Sequence, residues 1–259
     1  MSEIFNKFVA NYLLKNDNFK KVYNLMVERA IPNSIKNTSY KTDHGLETNA
    51  GLSLNNTKSD AETFAREIKI YNKQTLQNYI ECIHEMYKFQ EKHNIRWNEY
   101  TVLDVGVRSG VGSNLLGMLF CDTVWGYCTK FTVDALDIDD SWATYIKLLP
   151  YVNNYLPKNL YDIKDGSYDI CFCSHTIEHL EDPITFVRKL TDIASEFAAC
   201  YCPFDEKNIS PRSGHRVIDD KIIAQINPIY TKLIKSINRK SEDLYYIFFI
   251  TSNKYGASD

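Results

Sequence analysis

The sequence predicts an α/β fold built on a doubly wound, mostly parallel sheet, and three observations carry that expectation. From about residue 100 onward, short apolar runs bounded by turn residues alternate with helical patterns, as in chained β–α–β units. The last two apolar runs have no helix between them, which calls for an antiparallel hairpin at one edge. One run, Val102-Leu103-Asp104-Val105-Gly106, feeds straight into a glycine-containing turn that opens a helix. Open parallel sheets bind ligands beyond such strand ends.

The elements follow in order. Residues 1–30 read as two short amphipathic helices, with Ile4, Phe8, Tyr12 and Leu13, then Val22, Leu25 and Met26, at helical spacing up to Pro32. Residues 31–60 are rich in Asn, Ser, Thr, Gly and Asp, the composition of a long loop or lid. A helix over about 61–94 carries Phe64, Ile68, Tyr71, Leu76, Ile80, Ile83 and Phe89 in register. The pattern then changes, which sets a boundary near residue 96: 1–96 as a helical cap with its loop, 97–259 as the sheet domain. Within the latter, Tyr100–Val107 is a buried strand, Gly110–Phe120 a helix and Phe131–Ile138 a second strand. Trp142–Tyr155 reads as a helix kinked at Pro150, and Tyr168–Ser174 as a strand. Asp182-Pro183 caps and starts the helix Ile184–Ile193. Phe197–Cys202 is a strand, Asp219–Ile226 a helix stopped by Pro228, and Tyr230–Ile237 with Leu244–Thr251 the closing pair.

Composition narrows the function classes. The 259 residues allow one large domain or a domain with a small cap, and 44% are hydrophobic, as a buried core needs. The net charge of -3 argues against a nucleic-acid partner, which favours a basic surface. There is no run of about 18 apolar residues to cross a membrane, and the N-terminus lacks the basic-then-apolar order of a signal peptide. The expected location is cytoplasmic. The seven cysteines, Cys82, Cys121, Cys128, Cys171, Cys173, Cys200 and Cys202, are odd in number and several lie in apolar runs, so reduced, buried thiols are expected. The wealth of Asn, Lys, Ile and Tyr points to an AT-rich, bacterial genome.

Three segments carry chemistry. In the turn, Gly106, Gly110 and Gly112 let a ligand lie against the backbone, and the following helix offers free N–H groups. Asp104-x-Gly106-x-x-x-Gly110 resembles the first motif of class I S-adenosylmethionine-dependent methyltransferases, with Arg108 standing where that family has its middle glycine. In the second segment, Val133–Asp139, an acid at the strand end suits two ribose hydroxyls, because a carboxylate is acceptor-only. Asp137 matches the family position and Asp139 is the next candidate. A competing alignment takes Val124–Cys128 as the second strand. Trp142 beyond it packs either on an adenine or in the core.

The third segment reads Ser174-His175-Thr176-Ile177-Glu178-His179 and ends at Asp182-Pro183. It strongly resembles the fourth-strand motif of the small-molecule branch of the same family. The resemblance covers residues 100–205 and implies a Rossmann-like, seven-stranded sheet that binds S-adenosylmethionine. The implied cofactor-binding residues are Asp104, Gly106, Arg108, Gly110, Asp137, Asp139, Ser174 and His175, with Ser174 and His175 near the methionine end. His215, in the loop after the Phe197–Cys202 strand, matches the histidine that relatives present to substrate. His179, His215 and Glu178 are therefore the candidate catalytic residues, with a histidine as the base for an oxygen acceptor. Arg212 and Arg216 suit an anionic group. The implied acceptor is a small molecule, such as a sugar or a phosphorylated, sugar-linked group of a bacterial surface polysaccharide. No metal is expected on this reading.

Two rivals stand beside it. His175-x-x-Glu178-His179 also spells the inverted zinc-hydrolase motif, in which both histidines share a helix face and the glutamate activates water. A non-catalytic protein that binds S-adenosylmethionine is the other, given Arg108. His44, beside Asp43 and Glu47, reaches the site if the 31–60 loop is a lid, while His84 and His93 are assigned no role.

Overall fold

The computed structural model describes residues 78–79, 81–95, 99–108, 110–119, 130–147, 149–206, 215–235 and 245–256. The amphipathic helices, the 31–60 loop with His44, the alternative strand Val124–Cys128 and Arg212 lie outside the described residues.

Seven strands form one sheet: β1 (Glu99–Val105), β2 (Lys130–Asp137), β3 (Asn154–Pro157), β4 (Tyr168–Ser174), β5 (Ala194–Phe204), β6 (Tyr230–Lys235) and β7 (Tyr245–Thr251), in the order β3-β2-β1-β4-β5-β7-β6. The first five run parallel. β7 lies antiparallel to both β5 and β6, so the closing pair makes the expected edge hairpin. The doubly wound sheet is borne out. Because the chain winds from β1 to β3 in one direction and from β4 to β5 in the other, the order reverses between β1 and β4. A crevice opens at such a reversal, beyond the carboxyl ends of the strands.

Strand alternation sorts the core into two faces. Val102, Phe172, Phe197, Tyr201 and Phe248 point to one face, where a helix over 81–92, α1, packs through Cys82, Ile83, Met86 and Phe89. This helix lies on the N-terminal side of the expected boundary near residue 96, yet it forms a packing layer of the sheet. Leu103, Cys171, Cys173, Cys200 and Phe249 point to the other face. There they meet α4 (Pro183–Ile193) through Phe186, Val187 and Leu190, and α5 (Asp220–Ile226) through Ile223. Both helices start as their sequences require. Asp182 Oδ1 accepts from the Thr185 N–H with Pro183 in the first turn, and Asp219 Oδ1 accepts from Lys221 and Ile222. Asn227 ends α5 in the left-handed conformation. Cys82, Cys171, Cys173, Cys200 and Cys202 are buried free thiols, as expected. Among the described residues no helix is long and apolar enough to cross a membrane.

One element departs from expectation. The helix predicted over Trp142–Tyr155 is a single 3-10 turn, Asp140–Trp142, followed by α3 (Ala143–Ile146), and the chain then extends into β3. Pro150 has no N–H and disfavours helical geometry at Leu149, so it ends the helix instead of kinking it. β3 escapes sequence detection because it is four residues long, sits at the sheet edge and ends on Pro157. Trp142 belongs to the core, where it packs with Leu115, Ala135, Ile146, Leu149 and Tyr155 beside α2 (Val111–Leu119).

Candidate functional site

The glycine turn is built at the tip of β1. Gly106 and Gly110 have φ of 75° and 72°, which only glycine adopts without strain. A Cβ on Gly106 would lie 2.2 Å from Thr176 Oγ1, so the turn after β1 and the turn after β4 press directly on one another. Arg108 has φ of 49°, so this side chain occupies the left-handed conformation its glycine counterpart would take freely. The conformation is held by Asp137: the Arg108 N–H donates to Oδ2 at 2.7 Å, and the Asp139 N–H donates to Oδ1 at 3.1 Å.

Asp137 therefore sits at the tip of β2, bonded across to the β1 turn. Burial raises its pKa, and the two backbone N–H groups oppose that rise. Each carboxylate oxygen accepts up to two hydrogen bonds. One bond to each leaves capacity for a vicinal diol. Asp139 is buried, and its carbonyl accepts from the Tyr155 hydroxyl. Asp104 is placed differently, one layer below. It is 1% exposed, and its Oδ2 accepts from Ser113 Oγ at 2.7 Å and from Tyr79 at 3.3 Å. Burial raises its carboxyl to about 7 against those two bonds. Asp104 thus ties the start of α2 to the N-terminal helical layer.

At the tip of β4, Ser174 Oγ lies 3.0 Å from His175 Nδ1. The His175 ring packs 5.3 Å from both Tyr201 and Tyr246, which stack on each other at 5.0 Å. Burial, then the neighbouring His215 and His179, lower its pKa to about 4. A neutral imidazole is held in an aromatic wall. The chain next makes a 3-10 turn, Ile177–His179. The inverted zinc-hydrolase geometry requires His175 and His179 on one helix face; here His175 has φ of 54° at a strand end and no helix joins the two.

Glu178, His179 and His215 do come together. Their ligating atoms all lie within 4.8 Å of one another, although 36 residues separate His179 from His215. The two imidazole centroids are 4.6 Å apart and nearly perpendicular. The Arg216 N–H donates to the Glu178 carbonyl at 2.6 Å, which pins the late loop to the β4 turn. Arg216 is exposed. Glu178 is 1% exposed, and burial followed by the charge of Glu206 pushes its carboxyl up to about 8. Glu206 went unnoticed in the sequence; its Oε2 lies 2.8 Å from His215 Nδ1. Thr176 was missed as well. Thr176 lies inside the quoted motif, but its contact with the β1 turn leaves no mark there, and Glu206 has no periodic or motif signal because it meets His215 across a turn of the late loop.

Residues 103–196 match the sequence family described as a methyltransferase domain. No curated protein matches the chain. Among solved structures, magnesium protoporphyrin IX methyltransferase from Synechocystis PCC 6803, with bound SAH, is 14% identical with a TM-score of 0.51, and the match covers 73% of this chain and 93% of that one. A SAM dependent methyltransferase from Aquifex aeolicus is 18% identical, covering 62% and 87%, with a TM-score of 0.44. At 14% identity the likeness to the Synechocystis structure is one of fold.

Proposed function

We propose that this chain, whose residues 103–196 match a methyltransferase-domain family, is a class I S-adenosylmethionine-dependent methyltransferase that methylates an oxygen of a small molecule. The observation that carries the reading is the junction of the β1 and β2 tips. There a left-handed glycine turn and the Asp137 carboxylate, bonded across to Arg108, lie at the strand tips next to the strand-order reversal. The residues fit the cofactor: the turn brings bare backbone to the ligand, and Asp137 retains acceptor capacity for two ribose hydroxyls. Gly106, Arg108, Gly110 and Asp137 would hold it, Asp139 would flank the ribose, and Asp104 would support the turn from below. Ser174 and His175 would border the methionine end. When bound, the cofactor supplies an activated methyl group.

The chain's remaining task is to hold an acceptor oxygen in line, about 3 Å from that methyl carbon, and to remove its proton. Glu178 and His179 follow β4 and His215 follows β5, strands on the opposite side of the order reversal from β2 and Asp137. The proton leaves at this cluster. Arg216, exposed in the same late loop, carries a guanidinium suited to a phosphorylated or otherwise anionic acceptor. A sugar-linked group of a bacterial surface polysaccharide fits these requirements; family resemblance and AT-rich composition support that choice.

Calorimetry with S-adenosylmethionine on the full chain tests the reading. Binding should weaken about 10- to 100-fold in Asp137→Ala, the loss expected for charge-assisted hydrogen bonds. Equal affinity in the variant removes Asp137 from the site. A screen of nucleotide sugars and phosphorylated metabolites for methyl-dependent mass gain then identifies the acceptor. Cofactor binding with no gain across acceptor classes would favour a non-catalytic protein.

A further inference from the structure

We infer that Glu178, His179 and His215 form a binding site for one first-row divalent cation, with zinc the best match to the donors. Two imidazoles and a carboxylate are a borderline ligand set, suited to zinc and ill-suited to magnesium, which prefers oxygen alone. Four independent observations support it. The three donors converge within 4.8 Å although they come from two separate loops. Glu178 is almost fully buried, and among the described residues neither of its carboxylate oxygens has a hydrogen-bond partner. A buried carboxylate without partners is expensive to maintain, and a cation relieves that cost. Glu206 Oε2 lies 2.8 Å from His215 Nδ1, a carboxylate–imidazole pairing of the kind that orients metal-binding histidines. The Arg216-to-Glu178 backbone bond fixes the spacing of the two loops.

The site differs from the inverted hydrolase motif in its second histidine, which is His215 and not His175. Three protein ligands leave at least one position of a tetrahedral ion open. This position deepens the methyltransferase reading, and rests on it, by offering the acceptor hydroxyl a Lewis acid. The hydroxyl oxygen forms the new bond to the methyl carbon, the S–CH3 electron pair returns to sulfur, and the hydroxyl proton passes to solvent. His179 and His215 then act as ligands, with no need to take the proton themselves.

The test uses the full chain, stripped with a chelator and dialysed. Zinc alone is titrated by calorimetry, bound metal is counted by elemental analysis, and cobalt(II) is added as a visible-absorption reporter of site geometry. One zinc per chain is expected, with d–d bands for cobalt in a site of four or five ligands. His215→Ala and Glu178→Gln should each weaken zinc binding by at least about 100-fold, and Glu206→Gln by about 10- to 100-fold through the lost orientation of His215. Circular dichroism checks that each variant folds, and Glu206→Gln keeps the test valid if Glu178→Gln does not. Wild-type protein that takes up no zinc, or folded variants that bind it equally, overturns the proposal. S-adenosylmethionine is titrated into the same stripped protein: cofactor binding without zinc binding defeats the metal site alone, and the converse defeats the methyltransferase reading alone.

Discussion

Replacing Gly106 by alanine should damage both the stability of the fold and its affinity for S-adenosylmethionine. At φ of 75° an alanine pays about 1–2 kcal/mol for its left-handed backbone. Its Cβ would also lie 2.2 Å from Thr176 Oγ1, 2.7 Å from Cγ2 and 3.0 Å from Cβ. Thr176 is β-branched and stiff, and its Oγ1 also donates to the Ser174 carbonyl, so it cannot swing clear without losing a bond. Overpacking of this kind costs about 1–3 kcal/mol. The sum, about 2–5 kcal/mol, is a large share of an ordinary domain's stability. Urea unfolding followed by circular dichroism gives the loss directly, and calorimetry gives the cofactor affinity. The contact makes a sharper claim. Thr176→Ala in the Gly106→Ala background should recover part of the overpacking cost, with a coupling of about 1–3 kcal/mol in the double-mutant cycle. Unchanged stability in Gly106→Ala, or strictly additive effects of the two substitutions, would refute the proposed contact between the β1 and β4 turns.

Three further outcomes are expected. Arg108→Gly releases a left-handed side chain at φ of 49°, so melting should rise by up to about 2–4 °C, the equivalent of about 1 kcal/mol less the entropy of the added glycine; a lower melting temperature would show that the side chain makes a stabilising contact. Asp104 has a folded pKa raised to about 7 by burial, so its contribution is fully present below the unfolded pKa near 3.8 and is lost as pH rises to 7. Asp104→Asn should therefore gain on the wild type across that window, by up to about 4 kcal/mol at 1.36 kcal/mol per unit, and stay level above it; a pH-independent difference in unfolding free energy would contradict the assignment. Asp219→Ala removes the acceptor for the Lys221 and Ile222 N–H groups at the start of α5 and should cost about 1 kcal/mol in chemical denaturation, with no change meaning that water caps the helix equally well.

The apolar runs of β1, β4, β5 and β7, the caps Asp182 and Asp219, and the turn at Gly106 were legible because each is a local property. Backbone sterics, burial of a short strand on both faces and capping act over a few residues and leave a pattern in the chain. The stretch around Pro150 was misread for the same reason. Its helical spacing is real over a short window, but the imide ring decides where the helix ends, and β3 earns its place only by lying beside β2.

The sequence by itself determined the doubly wound sheet, its closing hairpin and the residue types of the site, because propensity and patterning encode them within each segment. Only the tertiary structure decided which of those residues meet. It sent Asp104 into the core and left Asp137 at the rim, put His175 among tyrosines, and gathered Glu178, His179, His215 and Glu206 into one cluster. Those placements depend on where two loops close over adjacent strand tips. Loop closure joins residues far apart in the chain, so no periodicity records it.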